Sequence, residues 1–68
     1  METVRIDDVH FYQAEVSVTM RSVRGNVVNL DFVPDDYGNG QTLMQYSPEQ
    51  ARKLAAALIM AAEEAEKQ

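Results

Sequence analysis

The chain has 68 residues, no cysteine and one histidine, and its eleven acidic and six basic side chains give a formal net charge of −5. These numbers exclude a disulfide framework, a cysteine-based zinc site and a thiolate nucleophile, and the negative charge disfavours contact with a phosphate backbone. A domain of this size buries only about 60% of the surface of its unfolded chain, so we expect oligomerisation to complete its core.

The first predicted element is a β-strand over residues 12–20, where apolar and polar residues alternate. Such alternation is typical of a strand with one buried face and one solvated face. The apolar, even-numbered positions are Tyr12, Ala14, Val16, Val18 and Met20.

The segment before this strand allows two interpretations. The even-numbered apolar phase continues back to Val4, but Asp7, Asp8 and His10 interrupt it. Residues 3–20 therefore form either two strands or one bent strand. Because Asp-Asp is a poor two-residue hairpin turn compared with Asn-Gly, the sequence slightly favours the bend.

A hairpin, a loop and two further strands follow along the chain. Gly25 and Asn26 tolerate positive φ, which predicts a turn within residues 21–26. The next strand is predicted over residues 27–33, and residues 41–46 are predicted to form the last one. The segment between these two strands, residues 34–40, is dense in turn-forming residues and predicts a loop.

Residues 47–67 carry the clearest local signals, which predict an α-helix. Ser47 is the expected N-cap, Pro48 suits the first helical position, and Gln50 completes a capping box. We expect the helix over residues 48–67 to cover the even-numbered face of the first strand along its whole length, because both are about 30 Å long. Its predicted core-facing stripe contains Ala51, Leu54, Ala55, Leu58, Ile59, Ala62 and Ala65.

The order of these elements predicts one α+β domain over residues 1–68, with a β-sheet region at 1–46 and the helix at 47–67. The sheet is expected to be an antiparallel meander of three or four strands. One helix packed on one sheet face completes a two-layer architecture.

The helical segment also carries a resemblance. Residues 47–58 read Ser-Pro-Glu-Gln-Ala-Arg-Lys-Leu-Ala-Ala-Ala-Leu. This segment resembles the C-terminal helix of small uncharacterised proteins from actinobacteria and their phages, which place a short β region before a Ser/Thr-Pro-Glu-x-Ala-Arg-x-Leu-Ala-x-Ala-Leu helix. The resemblance covers the helix alone; it implies a bacterial or phage accessory protein and brings no catalytic residues.

Few side chains are candidates for chemistry. His10 has Asp8 and Tyr12 as neighbours, but one histidine and one carboxylate fall short of the three protein ligands of a catalytic metal. The loop at residues 34–40 has the composition of a calcium site without the ligand alternation of an EF-hand. We therefore expect no enzymatic activity, no cofactor and no metal.

The edge of the sheet and two further surfaces are candidates for binding a partner, the edge because exposed strands pair readily. The outer side of the helix combines Ala56, Ala57 and Met60 inside a charged rim, which favours the close approach of another helix. At the predicted hairpin, Arg21 and Arg24 could bind an anion.

These surfaces predict a homodimeric protein-interaction module that binds another protein. We also expect the protein to be cytoplasmic. No apolar run reaches the about 20 residues that span a bilayer, and residues 1–5 lack the basic start of a signal peptide. The alternative is a small-ligand or nucleic-acid binder that uses Arg21 and Arg24 with Tyr12 or Tyr37.

Overall fold

The computed structural model describes residues 1–32 and 43–67 of the chain. Four β-strands pair antiparallel in the order β1-β2-β3-β4, so that the sheet is an open meander, and an α-helix follows and packs on it. This confirms the predicted α+β class. The elements are β1 (Val4–Asp7), β2 (Gln13–Ser22), β3 (Gly25–Phe32), β4 (Leu43–Tyr46) and α1 (Pro48–Glu66).

Some sequence predictions fall outside the described residues, which exclude 33–42 and 68. The predicted loop at residues 34–40, which contains Tyr37, is one of them. The others are Val33, at the end of one predicted strand, and residues 41–42, at the start of the last predicted strand.

The N-terminal segment forms two strands, and the favoured single bent strand is wrong. β1 pairs antiparallel with the first half of β2. A carboxylate oxygen of Asp8 accepts hydrogen bonds from the backbone N–H groups of His10 (2.7 Å) and Tyr12 (2.9 Å), and Phe11 adopts a φ of 68°. The β1–β2 hairpin therefore closes through a loop longer than two residues, and the Asp8 side chain holds this loop in place. Asp7 and Asp8 do not form a two-residue turn, so their poor suitability for one does not prevent the hairpin.

The hairpin between β2 and β3 contains an irregularity beside its turn. The pairing register shifts between Thr19 and Ser22, and Arg21 within this stretch has a φ of 56°. The Arg21 N–H donates to the Asn26 side-chain oxygen at 2.9 Å, and Gly25 has a φ of 86°. The turn lies where it was predicted, with positive φ at Gly25, whereas Asn26 contributes through its side chain.

The register gives the sheet two chemically different faces, because cross-strand partners point to the same side. The face formed by even-numbered residues, here the apolar sheet face, has no charged side chain among the described residues. The opposite face, here the polar sheet face, carries Glu15, Asn29 and Gln45. Members of the apolar sheet face are Val4, Ile6, Ala14, Val16, Val18, Val28, Leu30, Phe32, Met44 and Tyr46.

The best-covered residues lie in the middle of β3. Val27 is 5% exposed and Asn29 is 8% exposed, and both belong to the polar sheet face. Among the described residues no other hydrophobic side chain is buried. The described part of the chain thus has almost no core of its own.

Helix α1 contacts the sheet through its first turns only. It lies against β3 and β4 and, in the part of the chain that the structure describes, makes no contact with β2. Ala51 and Leu54 are half-buried, whereas every described residue from Ala55 onward is exposed. The expected coverage of the even-numbered face of β2 is therefore wrong in two ways: α1 contacts β3 and β4 instead of β2, and the residues buried there, Val27 and Asn29, lie on the odd-numbered face. The helix starts one residue after the edge strand β4, and this places its first turns on the β3–β4 side and leaves the later turns beyond the sheet.

Candidate functional site

The distal part of the helix exposes the apolar stripe that was expected to enter the core. Leu58 and Ile59 are each 61% exposed, so their predicted place in the core of their own chain is wrong. The local signals for the stripe were correct, because the residues do share one side of a helix. What periodicity cannot specify is how far the helix runs along its sheet.

The opposite side of the helix carries the predicted partner-binding residues. Ala56, Ala57 and Met60 are all exposed, and Met60 is 69% exposed. Lys67, in the charged rim of this side, forms an ion pair with Glu64 (Nζ to Oε2, 3.3 Å). Helix α1 therefore presents apolar side chains on two opposite sides.

Arg21 and Arg24 lie exposed at the β2–β3 turn, as the sequence predicted. Within residues 1–32 and 43–67 neither guanidinium group forms an ion pair. Tyr12, however, lies before β2, at the other end of this ten-residue strand, and Tyr37 is outside the described residues. Because the structure does not bring Tyr12 to the arginines, base stacking beside them lacks its aromatic partner. Anion binding through the two arginines stays a prediction.

A polar cluster on the polar sheet face was missed by sequence reasoning. The Asn29 side-chain amide donates to Thr19 Oγ1 (2.8 Å) and to Ser17 Oγ (3.3 Å), and its oxygen accepts from Gln45 Nε2 (3.1 Å). These hydrogen bonds cross-link β2, β3 and β4 through their side chains.

The cluster adjoins a charged pair on the same face. Arg5 Nε lies 3.5 Å from Glu15 Oε2, which links β1 to β2. At 64% exposure the arginine side chain is well solvated, so the pair contributes little to stability.

His10 lies in the loop between β1 and β2. The His10 and Tyr12 rings are 6.5 Å apart between centroids, and both residues are exposed in the β1–β2 loop. In the described ranges no three histidine, cysteine, aspartate or glutamate side chains lie close enough to hold a metal ion. An open depression at the start of α1 has mixed polar and apolar walls formed by Gln45, Tyr46, Gln50 and Lys53.

No protein-family model, curated protein or solved structure matches the chain. The described residues also contain no helix with the length and apolar character needed to cross a lipid bilayer. The features left for functional interpretation are therefore surfaces: two apolar sides of helix α1 and one apolar face of the sheet.

Proposed function

We propose that this protein is a non-enzymatic interaction module, a bacterial or phage accessory protein that works as a homodimer and acts by binding another protein. The observation that supports it most is the exposure of Leu58 and Met60 on opposite sides of α1, 61% and 69% respectively. Scattered exposed apolar residues are ordinary, but a helix that is apolar on both sides requires two covering surfaces. Self-association can cover one side of the helix, and a different protein can cover the other side.

The binding surface for the other protein is the outer side of α1. Ala56 and Ala57 are small, so a second helix can approach the backbone closely there. Met60 supplies a flexible contact that adapts to the shape of its partner. The mechanism is occlusion: the module covers a surface of its target, and no covalent step is involved.

The test is affinity capture from cells of the source organism with matched variants, followed by binding of the purified candidate. We expect a protein that binds the wild-type chain to be captured at least tenfold less by Met60→Glu. The control Val23→Glu adds the same charge at the fully exposed hairpin tip and should leave capture unchanged. Binding of the purified target by calorimetry should repeat this order.

Two outcomes would contradict the proposal. If every captured protein binds Met60→Glu as well as it binds the wild type, the outer helix side is not the binding surface. If the purified candidate binds neither form of the chain, the capture was indirect.

A further inference from the structure

The later turns of α1 carry an apolar surface that lies beyond the contact between helix and sheet. That contact ends at half-buried Leu54, and every described residue from Ala55 onward is exposed. Leu58 and Ile59 are each 61% exposed. Because each residue turns the helix by about 100°, Ala55 and Ala62 lie in the sector between these two side chains. We call this uncharged set of four residues (Ala55, Leu58, Ile59 and Ala62) the distal helix surface.

The distal helix surface is symmetric along the chain. Its two large residues are adjacent at the centre, and one alanine lies three residues before Leu58 and the other three residues after Ile59. In two antiparallel helices related by a two-fold axis between Leu58 and Ile59, Leu58 of each copy is level with Ile59 of the other. Ala55 is then level with Ala62, and both are small enough for the backbones to approach closely. A two-fold interface requires a self-complementary patch of this kind.

The charges beside this surface are complementary in the same arrangement. Arg52 precedes the surface, Glu63 and Glu66 follow it, and the last turn of the helix contains no basic residue. Arg52 and Glu63 are separated by about 16 Å along the helix axis, so they do not reach one another within one chain. In the antiparallel pair, Arg52 of one copy lies within one turn of both glutamates of the other.

A second copy of the chain supplies what the end of this helix lacks. Negative side chains near a helix C-terminus are disfavoured by the helix dipole, and a nearby positive charge offsets this cost. Arg52 forms no ion pair with any described residue. The net charge of −5 makes two copies repel one another, but the segment from Glu49 to Lys67 has four acidic and three basic residues. The helix is therefore a place where two copies can approach at low electrostatic cost.

We propose that two copies of this chain associate through α1, antiparallel about a two-fold axis between Leu58 and Ile59, with Arg52 of each copy beside Glu63 and Glu66 of the other. The inference rests on the proposed homodimer and adds the surface and the orientation through which it forms. Met60 lies about 200° around the helix from Leu58 and remains free for another protein.

The test exchanges charges between two chains and measures association by sedimentation equilibrium at low ionic strength. Arg52→Glu places like charges together at both ends of the proposed interface, and so does the double variant Glu63→Arg with Glu66→Arg. A mixture of these two variants restores opposite charges at both ends. Lys53→Glu is the matched control, because it changes the net charge as much as Arg52→Glu does. Lys53 lies seven residues before Met60 and therefore on the outer side of the helix.

We expect the wild type to be a dimer and each of the two interface variants alone to dimerise about tenfold more weakly or worse, because attraction becomes repulsion at both ends. The equimolar mixture should dimerise within about threefold of the wild type, and Lys53→Glu within about twofold. Added salt should reduce the difference between Arg52→Glu and Lys53→Glu, because exposed charges are screened. Circular dichroism follows folding, and a variant that is unfolded alone should regain its helical signal in the mixture.

The outcomes separate this pairing from the homodimer itself. A dimeric wild type with Arg52→Glu as tight as Lys53→Glu would overturn the pairing and leave the homodimer intact. A weakened Arg52→Glu that the mixture does not restore would do the same. A monomeric wild type at high micromolar concentration would overturn both. If neither interface variant folds alone, all three substitutions combined in one chain should dimerise like the wild type, and a weaker dimer would overturn the pairing.

Discussion

At the scale of single residues, Asn29 shows how a polar side chain can hold the centre of this sheet. It is 8% exposed, and its amide forms hydrogen bonds with Ser17, Thr19 and Gln45 on the two neighbouring strands. Buried polar groups are tolerated when every donor and acceptor finds a partner, as here. One residue thus ties three strands together through their side chains in addition to the backbone ladder.

We expect Asn29→Ala to lower the free energy of unfolding by about 1–3 kcal/mol, because a poorly solvated cluster loses both its donor and its acceptor. The measurement is urea denaturation at one fixed protein concentration. Gln13→Ala, an exposed amide at the start of β2, is the control and should change stability by less than about 0.5 kcal/mol. Equal losses in the two variants would show that the Asn29 cluster contributes nothing specific.

The sequence predicted the face of the sheet on which Asn29 lies. It did not predict the hydrogen bonds that Asn29 forms there. Alternation places Asn29 opposite Val28 and Leu30, and the structure agrees. Its partners, however, lie 10 to 16 residues away and meet it only in the observed pairing register. Asp8 is a similar case, because its carboxylate organises a loop whose length the sequence did not reveal.

At the scale of elements, the start of α1 is the part of the fold that was best predicted. The Ser47 hydroxyl accepts from the Gln50 N–H at 3.1 Å, and the Gln50 side chain accepts from the Ser47 N–H at 3.0 Å. Pro48 occupies the first helical position. All these contacts span three residues or fewer, so the local sequence is enough to specify them.

We expect Ser47→Ala to lower the free energy of unfolding by about 1 kcal/mol, because a first-turn N–H group loses its acceptor. The cap also fixes the point at which the helix leaves β4, so the loss should appear together with reduced helical circular dichroism. Ser47→Thr keeps the hydroxyl and should stay within about 0.5 kcal/mol of the wild type. A Ser47→Thr variant that loses as much as Ser47→Ala would mean that shape, and not the capping bond, matters at this position.

The direction of the same helix was poorly predicted. A helix and a strand of equal length suggested that α1 covers β2, but its contacts stay with β3 and β4. Leu58 and Ile59 have the periodicity of core residues and are exposed. Periodicity identifies the side of a helix that seeks cover, and it does not specify whether the cover comes from the same chain or from another.

At the scale of the whole molecule, the sequence was sufficient for the fold class, whereas the homodimer it suggested stays a prediction. Strand alternation and the capped helix predicted the meander with its C-terminal helix, since both patterns are local. The outer helix side around Met60 was a candidate surface for a partner, and this role stays a prediction. The apolar sheet face is exposed because α1 lies against the other side of β3 and β4, where Val27 and Asn29 are buried.

The proposed homodimer has the consequence that folding and association form one equilibrium. Thermal unfolding of a dimer with no stable monomer depends on protein concentration by mass action. With an unfolding enthalpy of about 0.7 kcal/mol per residue, two chains of 68 residues should absorb about 95 kcal/mol at the midpoint. The midpoint temperature should then rise by about 5 °C for each tenfold increase in concentration.

Calorimetry or circular dichroism over a hundredfold range of concentration measures this shift. Leu58→Gln removes apolar surface from the side of α1 that we propose for self-association, and it keeps a helix-forming residue at this position. The unfolding midpoint of this variant should therefore be lower than that of the wild type at every concentration, and it should rise with concentration at a similar slope. Met60→Gln, its counterpart on the outer side, should follow the wild-type line, because its side chain stays solvated in the dimer. A wild-type midpoint that is constant across the range would mean that one chain folds alone, with its apolar sheet face stable in water.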